Sequence, residues 1–393
     1  MDRLPKEWEF AKISEACSFR PPKKEVAKKE NIDVSFVPMA TVEEHRMFFE
    51  TTEIRDIKEV YKGYTYFQNN DVLLAKVTPC FENGKSAIAR NLKNGIGFGS
   101  SEFYVLRPNK NILSEWIYWQ ICNNSFLSKG KNNMSGAVGL KRLTQDFLLN
   151  YEISIPPLPE QKRIVTKLDT LFERINKSID LLEENIKQTG HLKASVLDEV
   201  FTNLESEHRL SILKDVMRVI NGRAYKKPEM LESGKYPLLR VGNFFTSQSW
   251  YYSDLELEPD KYCDKGDLLY AWSASFGPKI WDGNKTIFHY HIWKMEPVNG
   301  KIDREFAYYL LQRDTDKIKE EGGRGVGMIH ITKAGMEKRQ VVVPPIDIQK
   351  KVVRKLKTIL TRLTDLENEQ QEKLNNLKAL KESILDKAFK GKL

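Results

Sequence analysis

The chain carries one pattern written twice, and this repeat limits the folds open to it. Pro156-Pro157-Leu158-Pro159-Glu160-Gln161-Lys162 recurs as Pro344-Pro345-Ile346-Asp347-Ile348-Gln349-Lys350, an offset of 188 residues (position 344 against 156). The offset holds without a gap downstream: Leu168 meets Leu356, Arg174 meets Arg362, Ser195-Val196-Leu197-Asp198 meets Ser383-Ile384-Leu385-Asp386, and Phe201 meets Phe389. Upstream, Val138-Gly139 pairs with Val326-Gly327 and Thr144 with Thr332. Further back the register slips, and Asp71-Val72-Leu73-Leu74-Ala75 resembles Asp267-Leu268-Leu269-Tyr270-Ala271 at another offset. Each half therefore reads as a variable globular domain, a Pro-Pro turn and a well-matched helix. The expected boundaries are 1–155, 156–204, 205–343 and 344–393.

The helices are readable on their own. After Gln161 the apolar residues fall at Ile164, Leu168, Leu171, Ile175, Ile179, Leu182 and Ile186, a 4-3-4 alternation; the second copy runs from Val352 through Leu356, Ile359, Leu363 and Leu366 to Ile384. This spacing makes one apolar stripe per helix, the seam of a coiled coil. A helix over 160–204 would be roughly 65 Å long, and a single stripe of that length needs a partner, either another molecule or its own repeat. Gly190 would weaken the first helix by about 1 kcal/mol or mark a break in it. The globular parts read as mixed α/β, with strands at 64–67, 71–77, 86–89 and 103–106 in one domain and 268–272, 286–295 and 340–343 in the other. Each domain has one evident helix, from Ser114 and from Arg304, followed by a glycine-containing basic loop, 129–142 and 322–333. The fold class expected is α+β: two similar globular domains separated by two long antiparallel helices.

Charge and cysteine content bound the function classes. The net charge of +9 spreads as +3 over 1–159, −1 over 160–204, +2 over 205–346 and +5 over 347–393, so no segment is a polybasic binder. Positive charge serving nucleic acid would have to sit on particular faces. Four scattered cysteines without CxxC spacing argue for a reducing cytoplasm and against a disulfide frame or structural zinc. There is no run of eighteen apolar residues for a membrane span and no apolar core like that of a secretory signal.

Catalytic signatures are missing. Gly95-Ile96-Gly97-Phe98-Gly99 looks like a cofactor loop, but it runs into the strand-like 100–106 and not into a helix, so it reads as a hairpin or loop. Both Pro-Pro pairs lead into helices, unlike the Asn/Asp-Pro-Pro-aromatic motif that holds a flipped base. There is neither a GxxxxGK[ST] loop nor an HExxH pair. His289-Tyr290-His291 could put two imidazoles on one face of a strand, yet no third ligand lies near in sequence, and packed or exposed strand histidines are the ordinary reading. A loose nuclease carboxylate cluster is neither singled out nor excluded.

Two variable domains, each followed by a Pro-Pro-x-x-x-Gln-Lys turn into a long repeat helix, resemble the specificity subunit of type I restriction-modification systems. The sharpest parts are IPPLPEQKRIVTKLDTLF, its copy VPPIDIQKKVVRKLKTIL, and the tail SILDKAFKGKL with its echo SVLDEVF. The resemblance implies that each globular domain is a target-recognition domain reading one half of a split double-stranded DNA site. It implies that the helices pack antiparallel, set the spacer and dock two methyltransferase subunits, with motor-nuclease subunits joining for cleavage. It also implies that this chain is no enzyme and binds no cofactor, S-adenosyl-methionine residing on the methyltransferase subunits. The chain departs from the pattern at Asp347-Ile348, where the first copy has Pro159-Glu160.

Candidate DNA contacts follow from residue type. In 129–142, Lys129, Lys131, Lys141 and Arg142 supply charge, and Asn132, Asn133 and Ser135 can hydrogen-bond, while Gly136 and Gly139 let backbone approach phosphate. The solvated flexible loop is the alternative. The matching positions in the second half are Arg324 and Lys333, with Gly325. A second surface is Lys76, Thr78, Asn83, Lys85 and Arg90, aligned loosely with Trp272, Ser273, Ser275 and Lys279. Early in each domain, Arg20, Lys23 and Lys24 parallel Arg223, Tyr225, Lys226 and Lys227. Arginine, asparagine and glutamine are the better base readers because they bond bidentately. Trp116, Tyr118, Trp119, Tyr308 and Tyr309 sit at helical spacing and read as core. The competing functions are a coiled-coil scaffold whose globular domains bind protein, and a self-contained DNA enzyme.

Overall fold

The structure, a computed structural model, describes residues 5–26, 31–50, 53–137, 139–273, 275–322 and 331–393. The chain divides into two compact units, 1–182 with 373–393 and 183–372.

Unit 1 contains a four-stranded sheet in the order Cys17–Phe19, Phe103–Pro108, Val72–Ala75, Ser86–Ile88. A second has the order Ile54–Asp56, Asp33–Val37, Ile96–Gly99, Thr65–Gln68. Glu9–Lys12 pairs antiparallel with Glu152–Ile155 and closes the domain. Unit 2 repeats this plan strand for strand. Its sheets run Met217–Asn221, Ile292–Pro297, Leu268–Ser273, Ser275–Ile280 and Tyr251–Ser253, Tyr236–Leu239, Thr286–Phe288, Tyr262–Cys263, with Leu210–Ile212 closing on Gln340–Val342. Even the parallel strand pair recurs, Asp33–Val37 with Ile96–Gly99 and Tyr236–Leu239 with Thr286–Phe288.

The apolar runs at 72–75 and 268–271 are central strands covered on both faces, which is why they lack polar alternation. Val72 and Leu74 pack with Trp116 and Ile117, while Leu73 and Ala75 pack with Phe67, Phe103 and Val37. Leu268 and Tyr270 join Phe306, while Leu269 and Ala271 join Phe288 and Trp281. Ile96–Gly99, read from the sequence as a hairpin or loop, is instead a fully buried central strand. A Cβ on Gly97 would lie 2.1 Å from the Phe67 ring, so this glycine admits a neighbour's side chain and cradles no phosphate.

Each Pro-Pro turn is fixed by its glutamine. Gln161 is fully buried; its Oε1 accepts from Leu113 N (2.9 Å), and its Nε2 donates to Asn111 O (3.0 Å) and Pro156 O (2.9 Å). Gln349, equally buried, accepts from Asp303 N (2.7 Å) and donates to Lys301 O (3.0 Å) and Pro344 O (2.7 Å). One amide thus ties the start of a long helix to the loop that leads into the domain's own helix, Ser114–Ile121 or Arg304–Gly322.

The long helices are Leu158–Glu207 and Ile346–Phe389. Gly190 interrupts nothing, since the first helix is continuous through it. In unit 1, Ile164, Leu168, Phe172 and Ile175 share a core with Leu385 and Ala388. Lys381 donates to Asn176 (3.0 Å) and Arg163 to the Leu393 carbonyl (3.2 and 3.3 Å), so these two stretches run antiparallel. In unit 2, Leu197, Phe201 and Leu204 share a core with Val353 and Leu356, while Thr189 donates to Gln370 (3.2 Å) and Lys193 pairs with Glu367. The echo of SILDKAF in SVLDEVF has a packing reason: Leu385 and Phe389 serve unit 1 as Leu197 and Phe201 serve unit 2.

Two further expectations are corrected. The segment 286–295 is not one strand: Thr286–Phe288 and Ile292–Pro297 belong to different sheets, joined through a turn in which Ile292 N donates to His289 O (2.9 Å). The segment 129–142 is not a loop but the end of the helix Asn124–Asn132 followed by a hairpin, Met134–Ala137 with Leu140–Leu143. Gly130 belongs to that helix because a Cβ there would lie 2.4 Å from Phe81. No helix among the described residues is long and apolar enough to cross a membrane.

Removing the Gln161 amide leaves buried backbone groups unsatisfied, which costs roughly 1–3 kcal/mol per group. Gln161→Ala should therefore destabilise unit 1 by about 3 kcal/mol. Gln161→Glu should cost more, because a carboxylate would face two carbonyl oxygens. Hydrogen exchange resolved by peptide checks this: faster exchange is expected in segments of unit 1, and Gln349→Ala should act on unit 2.

Candidate nucleic-acid interface

In unit 1, three candidate segments far apart in sequence meet at one place. The hairpin is rooted on 76–78: Leu143 N donates to Lys76 O (2.8 Å), Lys141 N to Thr78 Oγ1 (3.0 Å), and Thr78 Oγ1 to Gly139 O (3.2 Å), while Val77 bridges Arg142. Gly136 and Gly139 have φ of 129° and 84°; Gly136 lies within the ribbon opposite Lys141, where a Cβ would come 2.5 Å from Leu140 O, so it serves strand pairing. Arg20 enters from the first segment, its guanidinium carbon 5.1 Å from the Tyr104 ring centre, and Lys76 Nζ lies 5.2 Å from the same centre.

Glu102 organises the cluster. It accepts from Arg142 Nε (2.9 Å) and Nη2 (2.8 Å), a bidentate fork that holds its carboxyl below the usual range. Burial lowers the Lys76 pKa against the pull of Glu102, and Arg20 and Arg142 lower it further. Three cations, Arg20, Lys76 and Arg142, thus gather beside one acid, so the surface holds an unbalanced positive charge suited to phosphates.

The other candidates of unit 1 are placed differently. Arg90 pairs with Glu115 and lies over Phe48; Asn83 donates to Glu44 (2.7 Å), and Lys131 pairs with Glu82 (3.2 Å). Lys23 donates to the Tyr61 carbonyl (3.1 Å), and Lys24 is exposed beside it. Lys85 is half-buried in a backbone bridge to Glu44. Lys129 sits 5.7 Å from the Tyr151 ring centre, Asn133 donates to Lys129 O (2.8 Å), and Asn132 and Ser135 are exposed.

In unit 2 the corresponding region is aromatic. A cleft of about 370 Å³ is lined by Trp272, Trp293, Tyr290, Asn221, Thr332 and Lys333 among others, with Trp272 and Trp293 stacked at 5.5 Å and 20°. Arg223 forks onto Glu229 (2.7 and 3.1 Å), and Lys226 and Lys227 are exposed nearby. Tyr225 is buried, stacked on His289, and its hydroxyl has no hydrogen-bond partner among the described residues. Ser273 is buried at the turn of its hairpin; Lys279 pairs with Asp282 (3.6 Å) and Lys333 with Glu337 (3.5 Å). The side chain of Ser275 and all of Arg324 lie outside the described residues. His289 and His291 sit 4.9 Å apart between ring centres in the turn between two sheets, and no group of three metal-ligating side chains occurs among the described residues. Sequence reasoning missed Glu102 and Glu229, the acids that aim Arg142 and Arg223. An acid 40 residues from its arginine leaves no local signal.

The profile of a family described as the type I restriction modification DNA specificity domain matches residues 5–188 and 206–376. Among curated relatives, the specificity subunit of the EcoEI type I restriction enzyme of Escherichia coli is 38% identical over 200 residues, covering 50% of this chain and 33% of that one. The EcoAI specificity subunit, also from Escherichia coli, is 37% identical, covering 46% and 30%. The chain thus spans about a third of the length of these two relatives. The putative MjaX specificity subunit of Methanocaldococcus jannaschii is 24% identical over 99% of this chain and 94% of its own. Two solved structures share the fold, each at 22% identity over the whole of this chain. One, described as the structural basis of complex assembly and conformational transition of the type I R-M system, has a TM-score of 0.78 and is covered fully. The other, the HsdS subunit from Thermoanaerobacter tengcongensis, has a TM-score of 0.54 and is covered to 98%.

Burial, with His291 and Arg240 adding, lowers the pKa of His289 to about 4. An unfolded chain takes up this proton near pH 6.5 and the folded one only near 4, so stability falls as pH drops through that window. Solvent screening of this half-buried group reduces the effect, so unit 2 should lose on the order of 1 kcal/mol between pH 7 and 4.5, a loss reduced in His289→Gln. Imidazole titration by NMR with parallel unfolding curves measures both.

Proposed function

Because the chain belongs to the type I restriction-modification DNA specificity family, we propose that it is the sequence-recognition subunit of such a complex and performs no chemistry itself. The observation that carries this reading is the repetition of sheet order in two units whose candidate surfaces differ. A single chain with two related but unlike readers suits a split site with two different halves, whereas identical readers would favour a palindrome. Unit 1 would offer its half-site the cluster around Arg142, and unit 2 the Arg223 region and the tryptophan cleft.

In this reading the candidate residues divide by task. Lysines and Arg20 neutralise phosphates and set register, while arginine and asparagine side chains meet base edges. The two repeat helices set the spacer and dock two methyltransferase subunits, which carry S-adenosyl-methionine. Motor-nuclease subunits join for cleavage. The protein-binding scaffold is the less favoured reading, because the family match covers both halves and names DNA specificity.

Selection of random duplexes by the chain assembled with its methyltransferase subunit tests the proposal. The expected outcome is a split motif with a fixed spacer, and affinity that falls steeply with salt. Replacing Lys76 and Lys141 together by Ala should reduce the slope of log affinity against log salt by about 2. Duplex binding without any sequence preference would defeat the proposal.

A further inference from the structure

The hairpin of unit 1 pairs Ser135 with Arg142 and Ala137 with Leu140. Alternation along each strand puts these four side chains on one face. All four are exposed, Leu140 to 53%, whereas on the opposite face Leu143 is buried. This face is therefore a ribbon bearing one guanidinium, one hydroxyl and two apolar groups, one small and one large, rooted by the hydrogen bonds to 76–78. A two-stranded ribbon is an element that the DNA major groove admits, and methyl-bearing side chains suit the thymine methyl group there.

The arginine is oriented as well as exposed. Glu102 takes its Nε and one Nη2 hydrogen, which uses one edge of the guanidinium. Nη1 makes no hydrogen bond to any described residue, so the end-on edge formed by Nη1 and Nη2 stays open. That edge matches the paired acceptors O6 and N7 of guanine. Arg20 and Lys76 beside it, and Lys141 on the hairpin's other face, supply charge for phosphates, which distinguishes a duplex from an apolar protein partner.

We propose that the ribbon formed by Met134–Ala137 and Leu140–Leu143 enters the major groove and that Arg142, aligned by Glu102, reads a guanine in the half-site of unit 1. This rests on the reading of the chain as a DNA-recognition subunit. Arg142 is the specificity-determining residue and Glu102 a positioning residue. The ribbon face supplies further contacts through Ser135, Ala137 and Leu140.

Duplex selection with the assembled complex, comparing wild type with R142A, R142K and E102Q, tests this. R142K keeps the charge but not the planar fork held by Glu102, so it should keep the salt slope while weakening guanine preference at one position by roughly tenfold. R142A should lose the same preference and reduce the salt slope. E102Q should weaken discrimination at that same position, with a smaller effect. The other half-site, and the melting temperature, should not move. An unchanged motif in R142A and R142K overturns the proposal, and so does degeneracy spread over both half-sites, which would make Arg142 merely structural. A wild-type complex without any split motif would instead overturn the parent reading.

Discussion

Two buried side-chain amides, Gln161 and Gln349, hold the points at which each long helix leaves its domain. Each closes three hydrogen bonds to backbone that would otherwise be buried and unpaired. A glutamine is needed because the site presents one N–H and two carbonyls, a set that an amide satisfies and a carboxylate or an apolar side chain does not. Without this bond, the helix that bears Ile164, Leu168 and Phe172 would have no fixed angle against Trp116 and Ile117. The Pro-Pro-x-x-x-Gln pattern in the sequence is therefore a packing device first, and its recurrence marks where the fold repeats.

Around these fixed points the two units keep their sheets and vary their surfaces. The central strands 72–75 and 268–271 are buried on both faces and tolerate little change, which preserves strand order. Their downstream ends are free of that constraint. There unit 1 carries Lys76 and the hairpin with Arg142, while unit 2 carries Trp272 in a stacked aromatic cleft. One scaffold thus supports two chemically different surfaces. An arginine held by a glutamate recurs in both, at Arg142 with Glu102 and Arg223 with Glu229. Fixing a long side chain in advance lowers the ordering entropy lost on binding.

Long-period features were legible in the sequence, and pairings across the chain were not. The 4-3-4 stripe announced both helices, since each stripe residue is read from its neighbours three or four positions away. The strand 96–99 was separated from a cofactor loop by the strand-like residues 100–106 after it, although only the structure shows that Gly97 makes room for Phe67. His289-Tyr290-His291 looked like strand because aromatic residues favour strands, and the turn that splits 286–295 carries no glycine or proline to announce it. Glycines and polar residues made 129–142 look like a loop, when Gly130 is a close-packing helix residue and the rest is a hairpin. Residue type nominated Arg20, Lys76, Thr78, Lys141 and Arg142 in three separate groups, and it could not separate them from Arg90 or Asn83, which the fold commits to acids elsewhere.

The central claim is that this chain directs modification to a split DNA site while partner subunits do the chemistry. The most direct measurement maps methylated adenines in a random-sequence DNA library exposed to the methyltransferase subunit of its system, with and without this chain. The account predicts methylation confined to a two-part motif with a constant spacer, abolished when the chain is omitted. Methylation that persists unchanged without the chain, from a demonstrably active methyltransferase, would contradict it.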